Sequence, residues 1–411
     1  MSKKIIIVTT AVLILAVLTL GGYYFFFLRN SGGNQESETN SGFNGLFDFG
    51  NSGGNQSAGT TTPANEVSKN FDYLKKLRKI SSEPVSGAGF SSDKAGFQTV
   101  RYIEKATGHI FESELSGPSS ERLSNVTLPR VYDAVWSFDG KSVLARYLKD
   151  DDFSVDTYSL KLQNNSAANS TTNIASSSEI KAVAFPSNII DLSALGNSVF
   201  YLYKDGGKSV GIVTDFEGKN KKQIWNSPVY EILAQLVNEK TVALVTKPEV
   251  GVNGYLYFVN TSNGLVTKIL GDIVNLTGLV SPDGKNVLAG SGSYNFYNYN
   301  ISDKSTEILS PSTFPEKCVW SRKDSNIIYC AAPTESLSGI SLISWYKGLT
   351  SFSDRIWKYD TKNNSSSIVE DLINDTDESI DAIKPILSPD ERFIVFINKK
   401  DGSLWSVDLS K

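Results

Sequence analysis

Histidine is almost missing from this 411-residue chain: His109 stands alone. Catalytic dyads and metal sites built on imidazole are therefore all but excluded. Cys318 and Cys330 are the two cysteines, too few for a four-thiolate zinc site or a cysteine-ligated iron–sulfur cluster. Charge of one sign is lacking as well. Forty Lys and Arg stand against 44 Asp and Glu, and a net charge of −4 offers no basic field for nucleic acid. The acidic runs Asp150-Asp151-Asp152 and Asn374-Asp375-Thr376-Asp377-Glu378 miss the Asp-x-Asp-x-Asp-Gly spacing of a calcium loop and read as solvated loops. His109 follows Gly108 at the start of a strand pattern and reads as structural. No cofactor, metal site or catalytic residue is expected. Aromatics are plentiful, with 18 Tyr, 21 Phe and 6 Trp, enough for a large core.

Residues 5–28 hold no charged side chain. As a helix they would extend about 36 Å, sufficient to cross a hydrocarbon layer of roughly 30 Å. Lys3 and Lys4 precede the run, Arg29 follows it, and the next base is Lys69. That bias predicts a cytoplasmic amino terminus and a carboxy-terminal domain outside the membrane. Tyr23, Tyr24, Phe25, Phe26 and Phe27 close the run where a cleaved signal peptide would carry small residues, so 1–29 reads as a retained signal anchor. Residues 30–68 are rich in Gly, Ser, Asn and Thr, and Asn-Ser-Gly-Gly-Asn-Gln occurs at 30–35 and again at 51–56. Such a stretch cannot bury enough apolar surface to fold and is expected to act as a tether. Within it, Phe43, Leu46, Phe47 and Phe49 read as a sticky insert or a short docking motif.

From residue 69 to 411 the chain repeats. The recurring element is an apolar residue, Ser, a turn and a β-strand. It reads Phe90-Ser91-Ser92-Asp93, Trp136-Ser137-Phe138-Asp139-Gly140, Leu192-Ser193-Ala194-Leu195-Gly196, Val280-Ser281-Pro282-Asp283-Gly284, Trp320-Ser321-Arg322-Lys323-Asp324 and Leu387-Ser388-Pro389-Asp390-Glu391. Leu236-Val237-Asn238-Glu239-Lys240 is a degenerate seventh copy. Pro presets φ, Asp caps the turn through its carboxylate and Gly supplies positive φ. Aromatic strands such as Tyr255-Leu256-Tyr257-Phe258 and Ile356-Trp357-Lys358-Tyr359 follow. Four short strands per unit, repeated, predict an all-β propeller of about seven four-stranded blades, with six or eight the alternatives because the units starting near 189 and 229 are degenerate. The last unit ends after its third strand, and 77–85 looks like an orphan fourth strand. The amino-terminal strand should therefore complete the last blade and remove an exposed sheet edge.

These Ser-Pro-Asp-Gly turns and aromatic strands resemble the TolB-like (WD40-like, PD40-type) propeller repeats of bacterial envelope proteins. The same repeats form the propeller of prolyl-oligopeptidase-type peptidases. Arg101-Tyr102-Ile103-Glu104-Lys105-Ala106-Thr107-Gly108-His109-Ile110 is also similar to single-pass anchored propellers of small-genome bacteria. The resemblance covers nearly all of 77–411 and implies fold rather than activity. A peptidase is not implied. No hydrolase domain follows Leu409, and the one Gly-x-Ser-x-Gly match, at 50–54, lies in the tether and not on a strand–turn–helix elbow.

Cys318 and Cys330 flank one repeat turn. A one-residue choice of register makes them direct cross-strand neighbours, so they read as a disulfide or as two buried thiols. The sixth unit carries an apolar insertion between its second and third strands. Its Trp345, Tyr346 and Phe352 are candidate partner contacts, unless the insertion folds back over a blade. The expected role is a membrane-tethered module outside the cytoplasm that binds a protein, peptide or glycan of the envelope. The alternative is a carboxylate-dependent glycosidase- or lyase-like enzyme with its site at the channel mouth, for which Asp133 and Asp191 are the acids placed near strand starts.

Overall fold

The structure, a computed structural model, describes residues 74–91, 98–163, 179–292, 295–337, 342–376 and 378–411. The expected anchor at 5–28 and the tether at 30–68 lie outside the described residues. Among those described, no helix is long and apolar enough to cross a membrane.

Seven four-stranded antiparallel sheets form the domain, so it is an all-β propeller of seven blades. The innermost strands are Val85–Ser91, Val131–Trp136, Ile189–Leu195, Ile232–Asn238, Thr277–Val280, Cys318–Trp320 and Ala382–Leu387, for blades 1 to 7 in chain order. In blade 7 the outermost strand is Leu77–Ser81, which pairs with Leu404–Asp408 in the register Leu77↔Val407 and Arg78↔Ser406. The ring thus closes by joining the two ends of the domain, as the sequence predicts. The closing strand stops at Ser81, however, and Val85 already belongs to blade 1.

The repeat turn is built identically in three blades. Ser137, Ser281 and Ser388 each donate a hydroxyl to the Asp two residues on, at 2.7, 2.7 and 2.5 Å. Each also accepts the backbone N–H five residues on, at 2.9 Å. The last turn position has φ of 67° and 72° at Gly140 and Gly284, but 56° at Glu391. Glu391 adopts a left-handed conformation that costs a side chain about 1 kcal/mol. Its carboxylate offsets this by accepting from the Ser321 hydroxyl and the N–H groups of Arg322 and Lys323 in the neighbouring turn.

Seven clusters of the core form a ring, each between two successive blades. Ile103 and Ile110 of blade 1 pack with Val143, Ala145 and Leu160 of blade 2. Phe200 and Leu202 of blade 3 pack with Val242 and Leu244 of blade 4. Ala331 and Ile356 of blade 6 pack with Ile394 and Phe396 of blade 7. Near the axis the blades approach more closely. A Cβ on Gly87 would lie 2.0 Å from the carbonyl oxygen of Ala134, so only glycine fits there.

Candidate axial site

Strand order gives the ring two faces. The Ser–Asp turns leave on one, the turn face. The links between blades and the turns joining second to third strands leave on the other, the loop face. Inner strands have one edge without a strand partner, so their backbone groups need other partners. Side chains of neighbouring blades supply them. Asp191 and Ser193 accept the N–H groups of Ala234 and Leu236 at 2.7 and 2.9 Å. Gln235 bonds both the carbonyl and the N–H of Val280, each at 2.8 Å. Ser86 donates to the carbonyl of Val131 at 2.5 Å.

Inside this ring lies a cavity of about 410 Å³. Its walls are mainly apolar and include Ala88, Val135, Leu192, Ala194, Ile386 and Leu387. Toward the loop face stands a charged bar. The Lys384 ammonium of blade 7 meets Asp133 of blade 2 at 2.6 Å and donates to the carbonyl of Ser86 at 3.2 Å. Arg146 reaches the same carboxylate at 3.5 Å and donates to the carbonyl of Ile189 at 3.0 Å. Toward the turn face, Arg322 of blade 6 lies 5.3 Å over the ring of Phe138 of blade 2.

Lys384 is aimed by backbone distortion. It precedes Pro385, has φ of 51°, and sits where the register slips between Ile383 and Ile386. A left-handed residue before proline is disfavoured, and a bulge of this kind redirects a side chain. Such strain concentrates at functional positions.

The two candidate acids occupy different environments. Burial would raise Asp133, but Lys384 and Arg146 outweigh it and hold the carboxyl below its ordinary range. Burial pushes Asp191 up to about 6, opposed by the N–H of Ala234 and the charge of Arg146. Asp133 lines the cavity and Asp191 does not. Asp191 is occupied in tying blade 3 to blade 4.

The rise at Asp191 has a thermodynamic consequence. Its folded pKa lies above the unfolded value of about 3.9, so its contribution to stability is full below pH 4 and is lost as pH climbs through 6. Asp191→Asn keeps an oxygen for the Ala234 N–H and removes the charge. Urea unfolding should therefore show the variant gaining about 2 kcal/mol on wild type between pH 4 and pH 8. A constant difference across that range would remove Asp191 as a source of pH dependence.

The candidate partner contacts fall elsewhere. Trp345 and Phe352 are only 3% and 2% exposed, packed with Phe314, Leu337 and Leu342. They are not available to a partner: the insertion folds back onto the loop face. Its short helix, Leu342–Tyr346, leaves Tyr346 at 38% exposure, with its hydroxyl donating to Glu316. Beneath the insertion Lys317 pairs with Asp354 at 2.7 Å and Asp381 at 2.5 Å, all three fully buried. The Trp345 indole also donates to Asp381, at 3.0 Å. Cys318 and Cys330 face each other in register and are joined as a disulfide. His109 lies at 3.3 Å from the Thr127 hydroxyl, outside the channel. Among the described residues no group of three or more His, Cys, Asp or Glu side chains is placed to hold a metal ion.

Sequence reasoning missed Lys384, Lys317 and Arg322. Lys384 had a readable signal, a charge inside an inner-strand pattern immediately before proline. Lys317 had none, because its partners lie 37 and 64 residues away.

No protein-family model matches this sequence, and no curated protein matches it in sequence. Solved structures do match in shape. An oligogalacturonate lyase from Vibrio parahaemolyticus aligns over 81% of this chain and 93% of its own, at 10% identity and a TM-score of 0.51. The β-propeller domain of the trilobed protease from Pyrococcus furiosus aligns over 79% and 95%, at 11% identity and 0.50. The chain shares their propeller fold. At such identity the likeness extends to fold alone. TolB from Acinetobacter baumannii is a more distant match, at 14% identity and a TM-score of 0.40 over 64% of this propeller chain and 60% of TolB.

Proposed function

We propose that this propeller is a binding module of the cell envelope, tethered through residues 5–28, that takes an extended segment of a protein or glycan partner into its axial channel. The observation that carries this reading is the cavity of about 410 Å³, apolar along its walls and polar at its mouth. That is the usual make-up of a binding pocket: apolar surface for affinity, a few fixed polar groups for orientation. Binding is favoured over carboxylate chemistry by the lining. Asp133 is the one carboxylate on the cavity wall among the described residues, and it is committed to Lys384 and Arg146. A hydrolytic pair needs a second acid about 5–10 Å away with its own access to the ligand.

A photo-crosslinking residue placed at Ala194, on the channel wall, tests the proposal in intact cells. It should trap one defined partner, whereas the same residue at Ile308, 74% exposed on the outer strand of blade 5, should not. Ala194→Trp, which fills the channel, should abolish capture by a second probe at Leu387. Equal adducts at Ala194 and Ile308, or none at Ala194, would remove the channel as the binding site.

A further inference from the structure

We infer that a second cavity, on the loop face between blades 7, 1 and 2, is a binding site for an oxyanion group, a carboxylate or a phosphate. This basin has a volume of about 400 Å³ and lies beyond the charged bar, sharing Lys384 with the channel. Four lysines line it: Lys105, Lys384, Lys399 and Lys400. One carboxylate, Asp401, shares the lining and is engaged with Ser403. It accepts the N–H of Ser403 at 2.9 Å and its hydroxyl at 2.6 Å.

The lysines are short of counter-charge. Lys384 has Asp133. Lys399 donates to the carbonyl of Trp345, and Lys400 to the hydroxyl of Ser379. Lys105 makes no side-chain bond or ion pair among the described residues, although its backbone N–H holds the carbonyl of Pro84 at 2.7 Å. Three of the four lysines around one small cavity thus form no ion pair with a carboxylate among the described residues, in a chain whose net charge is −4. Concentrated like charge is unfavourable unless an anion is drawn in, and recessed walls strengthen the local field. Burial already lowers the affinity of Lys399 for its proton, opposed by the charge of Asp381 and aided by that of Lys317. An oxyanion in the basin would reverse that. Lysine suits the task because each ammonium is a mobile point charge able to converge on a small anion.

The inference stands apart from the channel reading, since the basin can fill while the channel is empty. The test uses the full chain in detergent, titrated by calorimetry with inorganic phosphate and separately with acetate. Ionic strength is held constant with chloride. Saturable binding of either anion is expected, and the better of the two identifies the group. Lys105→Gln/Lys400→Gln, both at exposed positions, should weaken it at least tenfold while leaving the melting temperature unchanged without anion. Ala194→Trp should leave anion binding intact, so that failure of the channel proposal is read separately. Heats indistinguishable from chloride, or an affinity unchanged in the double variant, would overturn the assignment.

Discussion

Lys317→Met is expected to destabilise the propeller by about 4 kcal/mol, a drop of several degrees in Tm. The ammonium is fully buried between Asp354 and Asp381, and the rings of Trp345 and Phe352 lie 5.4 and 5.3 Å from it. Taking it away leaves two buried carboxylates facing each other without a cation. Burial, reinforced by Asp381, already lifts Asp354 to about 6 with Lys317 in place. One of its oxygens has no hydrogen-bond partner. The triad therefore joins the insertion to the ring at a high cost if broken, although its net contribution when intact is small. Lys317→Met/Asp354→Asn/Asp381→Asn should recover at least half of the loss, because the neutral amides still accept the N–H groups of Ala382 and Phe352. Urea unfolding of the single variant within 1 kcal/mol of wild type would show that the carboxylates simply take up protons without harm.

Breaking the disulfide is the second large effect. Cys318 and Cys330 are 12 residues apart, and a closed loop of that size contributes about 3 kcal/mol in the chain-entropy account. The bond also spans the repeat turn whose Ser321 is tied to Glu391 of blade 7, so loss should loosen both blades. Cys318→Ala/Cys330→Ala, or wild type under reductant, should each unfold at lower urea. The reductant should have no further effect on the variant. A wild type indifferent to reductant would mean that two packed thiols serve as well as the bond.

Much of this architecture is legible in the sequence because turn chemistry repeats while the strands vary. Ser137, Ser281 and Ser388 mark their turns by a fixed two-residue spacing to Asp, a local pattern with a local cause. The degenerate copy at Leu236 keeps the turn but replaces the pattern, with Asn238 capping the N–H of Lys240 instead. The channel site was less visible. Asp133 could be placed near a strand start, but its partner Lys384, though marked by a charge just before Pro385, lies 251 residues away, so the pairing itself leaves no local trace. Trp345 and Phe352 show the limit from the other side. Aromatic residues in an insertion look the same whether they await a partner or cover a buried ion pair, and the buried Lys317 that decides between the two reads in sequence as an ordinary surface charge.

The closing strand also governs the order in which the molecule can be completed. Lys411 donates to the carbonyl of Leu74, an atom made 337 residues earlier. At roughly 5–20 residues per second, the first strand must wait on the order of half a minute during synthesis before its partner exists. Arg78 and Lys79 suit that interval, since charged side chains discourage an unpaired strand from joining other sheets. Once Leu404–Asp408 arrives, Arg78 donates to the carbonyls of Glu114 and Gly117 in blade 1, and Lys79 pairs with Glu378. A chain lacking that strand would keep its first segment unpaired, so closure of the ring reports that both ends of the propeller are present.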